Sequence, residues 1–186
     1  MISGALNKNS NTDIEPITLF QKFNLFINLV ENSKQTEINT QKLTINTMYS
    51  GDVSMAEELM ITQTQNLNFP TTLINPDNHT TVTTKNDSAA AFVACGKQSG
   101  ILSVAVPESK ILLITGDGKS SLEQLVVHDW IFGDDLSDDK GFGTSILEAE
   151  ECQGFRVGAI THIKPGQKPG LYRGIATLRI MHFSCD

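Results

Sequence analysis

Long apolar runs, basic charge and cysteine are scarce in this sequence of 186 residues. No apolar run approaches the roughly 18 residues that a membrane-spanning helix needs. Fourteen basic residues against 21 acidic ones give a formal net charge of −7, which argues against a protein that binds nucleic acid or anionic membranes. Three cysteines are too few and too scattered for a disulfide scaffold or a Cys-x-x-Cys metal site.

Polar, uncharged side chains fill the place of the missing charge. Charged residues make up 19% of the chain, against about 25% in an average protein, and Thr, Ser and Asn replace them. Such a composition favours strands over helices. Short strand candidates separated by turns predict an all-β protein, with an immunoglobulin-like β-sandwich as its architecture. The candidates lie at 42–48, 59–69, 80–84, 89–94, 101–106, 111–115, 122–132, 155–163 and 171–183, with a hairpin turn at 116–119.

Residues 17–30 alternate between apolar and polar side chains, which is the pattern of a half-buried strand. With the exception of Gln21, the odd positions from 17 to 29 are apolar. They are Ile17, Leu19, Phe23, Leu25, Ile27 and Leu29. A helix is the alternative, because Leu19, Phe23, Phe26 and Val30 also fit a period of 3.6 residues.

Three stretches resemble the bacterial "domain of unknown function 4402" family. They are ITQTQNLNF at 61–69, SAAAFVACG at 88–96 with SVAVP at 103–107, and FRVGA at 155–159 followed by PGQKPGLYRG at 165–174 and TLRI at 177–180. The resemblance frames residues 59–184, about two thirds of the chain. It implies an immunoglobulin-like fimbrial subunit that is secreted and assembled outside the cell, although no signal peptide is visible in residues 1–16.

From this resemblance we predict a subunit of an extracellular, cell-surface filament. Its partners would be copies of itself, with a periplasmic chaperone and an outer-membrane usher for its secretion. We divide the chain into a mobile N-terminus (1–16), a candidate donor strand (17–30), a polar linker (31–57) and an incomplete pilin-like sandwich (58–186). The six apolar side chains at odd positions would fill the groove of a neighbouring subunit by strand addition.

The alternative prediction is that the same strand folds back onto its own domain. The chain would then be a self-complemented surface binding module or fibre-tip adhesin, with the acidic loop at 133–143 as its contact surface. We expect no catalytic constellation and no cofactor in either case, since no nucleophile elbow or activated cysteine is recognisable.

A smaller set of residues carries structural predictions. Tyr172, flanked by Gly170 and Gly174, follows a Pro/Gly turn and is placed as a tyrosine corner. We predict a Cys152–Cys185 disulfide, because both cysteines lie at the far ends of segments that flank one turn, or else three reduced thiols. A weak calcium site at Asp134, Asp135, Asp138 and Asp139 is an alternative to a solvated loop. His79, His128, His162 and His182 are dispersed, so no other metal site is expected.

Overall fold

We describe the protein from a computed structural model that covers residues 16–31, 53–55, 58–75, 79–83, 86–139 and 141–185. Strands account for 69% of these residues, and the prediction of an all-β protein is confirmed. In chain order they are β1 (Ile17–Val30), β2 (Val53–Met55), β3 (Leu59–Gln65), β4 (Leu67–Asn68), β5 (Thr72–Leu73), β6 (Thr80–Thr83), β7 (Ala90–Gly96), β8 (Gly100–Ala105), β9 (Lys110–Ile114), β10 (Gln124–Asp134), β11 (Ser137–Asp139), β12 (Phe142–Leu147), β13 (Cys152–Ile163) and β14 (Gly170–Ser184). Two 3₁₀ turns lie at Asn86–Ser88 and Ser121–Glu123, and no helix in the described ranges is long and apolar enough to cross a membrane.

One hydrogen-bonded network joins the strands into a curled mixed sheet. Its main path runs in the order β11-β12-β8-β14-β9-β10-β13-β7-β3-β2. The long strand β14 is central to this path, because one of its edges pairs with β9 and then with β8, while its other edge pairs with β1. The two parallel pairings in the sheet join β1 to the short strands β4 and β5.

The curl of the sheet brings its ladders back to β1. Strand β3 pairs with β7, and the chain continues past Asn66 into β4, which pairs with β1 at Leu25 and Phe26. Ladders therefore lead from β1 through β14, β9, β10, β13, β7 and β3, and return to β1 through β4. The inward side chains of these strands form one apolar core, to which β1 contributes Phe23, Leu25, Ile27 and Leu29.

Most predicted strands are present in the described ranges. The segment at 17–30 forms a single strand, so the helical alternative is wrong. A hairpin joins β9 and β10 at the predicted turn, with Leu125 opposite Leu113. The candidate strand at 42–48 lies outside the described residues.

The predicted loop at 133–143 is wrong in part. Strand β10 extends to Asp134, and β11 then pairs with the missed strand β12 through Ser137 and Thr144. Strand β11 is short, polar and acidic, so its sequence lacks the alternation of apolar and polar residues by which strands are recognised.

Candidate functional site

The candidate functional site is the groove that β1 fills between β14 and the short strands β4 and β5. Strands β1 and β14 are antiparallel and in unbroken register from Ile17 opposite His182 to Leu29 opposite Gly170. On the other edge of β1, the Phe69 amide donates to the Phe26 carbonyl oxygen at 2.8 Å. The second half of β1 is therefore hydrogen-bonded on both edges, as an inner strand of a sheet is.

The side chains of β1 alternate between the core and solvent. Phe23, Leu25, Ile27 and Leu29 are at most 1% exposed. The predicted donor residues at the start of the strand, Ile17 and Leu19, are half-buried and pack against the same core. Full burial of four such side chains is worth roughly 6–12 kcal/mol before ordering costs, at about 1.5–3 kcal/mol each.

An aromatic contact anchors the middle of β1 in the core. The Phe23 ring lies edge-on to Phe92 of β7, with 5.6 Å between ring centroids, and edge-on to Trp130 of β10 at 6.2 Å. Phe92 stacks in turn on Phe155 of β13, at 5.3 Å. Edge-to-face pairs at these distances stabilise beyond simple area burial. Phe23 therefore connects β1 to strands with which it shares no hydrogen bonds in the sheet.

Gln21 is the one polar side chain on the inward face of β1. It is 2% exposed, and its Nε2 donates to the Lys22 carbonyl oxygen at 3.2 Å. A buried amide needs such a partner, because an unpaired polar group in the core is costly.

The groove has a buried histidine at the end where β1 begins. His182 of β14 faces Ile17 of β1 and Leu102 of β8, and it is 1% exposed. Neither ring nitrogen has a hydrogen-bond partner among the residues that the structure describes. Burial lowers the pKa of the His182 imidazole below its ordinary value near 6.5, and the carboxylate of Glu58 opposes that shift.

Tyr172 lies at the opposite end of the groove, near the start of β14. Its ring is fully buried, and its hydroxyl lies 2.7 Å from the Lys168 carbonyl oxygen and 2.9 Å from that of Leu122. The Gln167 amide donates to the same hydroxyl at 3.2 Å. Burial raises the pKa of the Tyr172 hydroxyl above its ordinary value near 10.0. These bonds connect β14 to the backbone of the preceding turn and to the segment before β10.

An ion pair supports the same turn. The Lys168 ammonium donates to the Glu123 carboxylate, which is largely buried. This hydrogen bond raises the pKa of the Lys168 ammonium above its ordinary value near 10.5. Because Glu123 also closes a capping box with Ser120, the ion pair links the turn before β14 to the 3₁₀ turn before β10.

The two glycines beside Tyr172 have backbone roles. Gly170 has φ of 141°, a conformation that side chains rarely adopt. At Gly174 an added Cβ would lie 2.5 Å from Leu113 Cδ2 and 3.0 Å from the Leu112 carbonyl oxygen, so β9 packs directly against the backbone there.

The disulfide predicted from the sequence is wrong. Cys152 is bonded to Cys95, and Cys185 is a free, exposed thiol. Cys95 and Cys152 are directly opposite each other on β7 and β13, with 4.1 Å between their Cα atoms. The predicted pairing assumed that the strands on either side of the turn at 164–169 pair with each other. Strand β13 instead pairs with β10, β7 and β6, and β14 with β1, β8 and β9.

The calcium alternative gains no support from the described residues. The Asp134 carboxylate accepts a hydrogen bond from Arg156 Nε at 2.9 Å. Asp135 is exposed, and the side chains of Asp138 and Asp139 lie outside what the structure describes. No group of three or more metal-ligating side chains occurs in the described ranges.

Two of the four histidines are neighbours in space, which the sequence analysis missed. The rings of His128 on β10 and His162 on β13 have centroids 4.8 Å apart and planes inclined by 38°. His128 faces Ile160, two residues before His162, so the pair is diagonal across the ladder. The two residues are 34 positions apart in the chain, and no sequence pattern marks them as neighbours.

Comparisons of this chain with protein-family models, with curated proteins and with solved structures found no match. The resemblance of the three sequence stretches to the 4402 family therefore stays a prediction.

Proposed function

We propose that the protein is the structural subunit of an extracellular filament that polymerises by donation of β1 to a neighbouring chain. The proposal rests on how β1 pairs with β14 and packs into the core. It fills a long groove along β14 and places four fully buried apolar side chains in the core. A strand added in this manner supplies main-chain hydrogen bonds for affinity and alternate side chains for specificity.

The same geometry supports the finer proposal of an immunoglobulin-like sandwich that β1 completes. Without β1, the ring of ladders is open between β14 and β4, and the core around Phe92 and Trp130 loses its cover at Phe23. An open groove beside an unpaired strand edge is a template for another strand. The edge of β14 is the one that β1 covers, and β1 is the donor in this proposal.

The spacing between β1 and the rest of the fold allows donation. Residues 31–52 separate β1 from β2, and these 22 residues reach up to roughly 70–80 Å when fully extended. A segment of this length lets β1 pair either with its own chain or, as proposed here, with a neighbour. A head-to-tail contact of this kind is heterologous and does not close on itself, so repeated donation gives an open filament.

The second candidate function is the self-complemented binding module or fibre-tip adhesin. The observation in its favour is that β1 occupies the groove of its own chain in the structure. The filament and the module use the same contacts and differ in which chain supplies β1. An experiment that reports the origin of the strand therefore decides between them.

Cross-linking of β1 to β14 gives that report. Asn24 and Ile175 are directly opposite each other, and both side chains are exposed. In a Cys185→Ser chain, we expect Asn24→Cys with Ile175→Cys to form a disulfide on oxidation, because cross-strand partners place their Cβ atoms about 4.5–5.5 Å apart. A ladder of covalent oligomers on non-reducing gels supports the filament, and a cross-linked monomer supports the module.

A shifted pair of cysteines is the control. Arg179 lies opposite Phe20, four residues from Asn24 along β1, so Asn24→Cys with Arg179→Cys should form neither product. If the matched and shifted pairs behave alike, β1 does not occupy this register and both functions are rejected. Negative-stain microscopy should show filaments in the case of oligomers. Chains that lack residues 1–30 yet stay soluble and fully stable would also contradict both functions.

A further inference from the structure

We propose that His128 and His162 form a binding site for a divalent transition-metal ion, with the highest affinity for Cu²⁺. The pair lies on the β10–β13 ladder, with 4.8 Å between the ring centroids. His162 is exposed and the His128 side chain is 20% exposed, so an ion reaches the pair from solvent. Imidazole nitrogen suits copper, nickel and zinc, and the general affinity order of divalent ions places Cu²⁺ first.

The hydrogen bonds of both rings leave the same nitrogen available. His128 Nδ1 lies 2.8 Å from Asp129 Oδ2, and His162 Nδ1 lies 2.8 Å from Thr81 Oγ1. A carboxylate only accepts, so the Nδ1 of neutral His128 carries its proton and Nε2 keeps its lone pair. When the Thr81 hydroxyl oxygen accepts a hydrogen bond from His162 Nδ1, His162 has the same tautomer, and its Nε2 also keeps its lone pair. Metal-ligating histidines are held in this way, with the second ring nitrogen bonded to a carboxylate or another acceptor.

An irregularity in β10 creates the contact between His128 and Asp129. Successive side chains of a regular strand point to opposite faces, so neighbours in sequence do not normally touch. The β10–β13 register shifts between His128 and Ile131, and Asp129 has φ of 51°. The bulge brings the Asp129 carboxylate to the ring of His128. Bulges and positive φ values are frequently found where a side chain is aimed for function.

The site offers two protein nitrogens and leaves the remaining coordination positions to water. No third histidine, cysteine or carboxylate completes a larger metal-ligating group within the described ranges. Lys110 on β9 is the cross-strand partner of His128 and is exposed. Its positive charge opposes a bound cation, whereas the charge of Asp129 favours it.

Titration of the full-length chain with Cu²⁺ alone tests the site. A Cys185→Ser background removes the exposed thiol, and the single tryptophan, Trp130, is two residues from His128 and reports the ion by fluorescence quenching. We expect one tight ion per chain with two nitrogen ligands by electron paramagnetic resonance. Loss of an outer partner of a ligand typically costs about 10–100-fold in affinity, so Asp129→Asn should weaken binding by roughly tenfold and His128→Gln or His162→Gln by more.

Three comparisons keep the result interpretable. His79→Gln, which changes another exposed histidine, should leave Cu²⁺ affinity unchanged. Lys110→Gln should tighten binding, an effect that misfolding does not produce. Metal-free circular dichroism checks the fold of each variant. The proposal is overturned if either pair variant binds as tightly as the parent, if His79→Gln weakens binding equally, or if Lys110→Gln leaves the affinity unchanged.

Discussion

Leu25 of β1 lies directly opposite Gly174 of β14, and the leucine side chain has no exposed surface. At Gly174 the Leu113 side chain of β9 occupies the position that a Cβ would need. The middle of β1 therefore lies opposite a tightly packed position of β14, and substitutions there test the strand directly.

Leu25→Asp should lower the free energy of unfolding by at least about 3 kcal/mol, because it places a charge in the apolar core and removes a packed side chain. Asn24→Asp is the matched control and should change stability by less than about 0.5 kcal/mol, since Asn24 is exposed on the opposite face. Urea unfolding measures both. Equal losses for the two variants would show that β1 does not alternate as described.

Tyr172→Phe should lower the free energy of unfolding by about 1 kcal/mol, the typical net value of a hydrogen bond. The ring stays in place, and the contacts from its hydroxyl to the Lys168 and Leu122 carbonyl oxygens are lost. Tyr172→Ala should cost roughly 3–5 kcal/mol, because it also empties a fully buried site. A Phe variant as stable as the parent would contradict a structural role for the hydroxyl.

Stability should fall in acid because of His182. Burial lowers its pKa in the folded chain below the ordinary value near 6.5. The unfolded chain therefore binds the proton first as pH falls. His182 contributes to the free energy of unfolding in full above about pH 6.5. This contribution is lost as the pH falls through the lowered pKa, by no more than about 1.4 kcal/mol per pH unit.

The measurement is the free energy of unfolding against pH for the parent and for His182→Leu. We expect the difference between the two curves to change below about pH 6.5. Parallel curves for the parent and His182→Leu would show that His182 is not protonated on unfolding. Because His182 faces Ile17, protonation of His182 should destabilise the start of β1 before the rest of the strand.

Replacing both Cys95 and Cys152 by Ser should lower the free energy of unfolding by roughly 2–4 kcal/mol, since the bond closes a loop across a sequence separation of 57. Cys185→Ser should change it by less than about 0.5 kcal/mol, because that thiol is exposed and free. Non-reducing peptide mapping checks the pairing. A recovered Cys152–Cys185 peptide would contradict the structure.

Local chemistry made much of the candidate site predictable. Alternation alone identified the inward residues of β1, because the period of a strand is two whatever its partners are. The position of Tyr172 after a Pro/Gly turn indicated where its hydroxyl would bond. The missed β11–β12 hairpin shows the limit of local patterns, since β11 is short and acidic and the apolar residues of β12 do not alternate with polar ones.

The sequence by itself determined the all-β class, the strand at 17–30 and the face of that strand that is buried, because these follow from side-chain alternation and turn residues within a few positions of one another. Tertiary structure decided which strands are neighbours. It placed Cys152 opposite Cys95, although a short turn joins β13 to β14 and Cys185 directly follows β14. It also brought His128 to His162 and Ile17 to His182. These contacts depend on strand order and register across the sheet, which are set by the packing of the whole core rather than by any local segment.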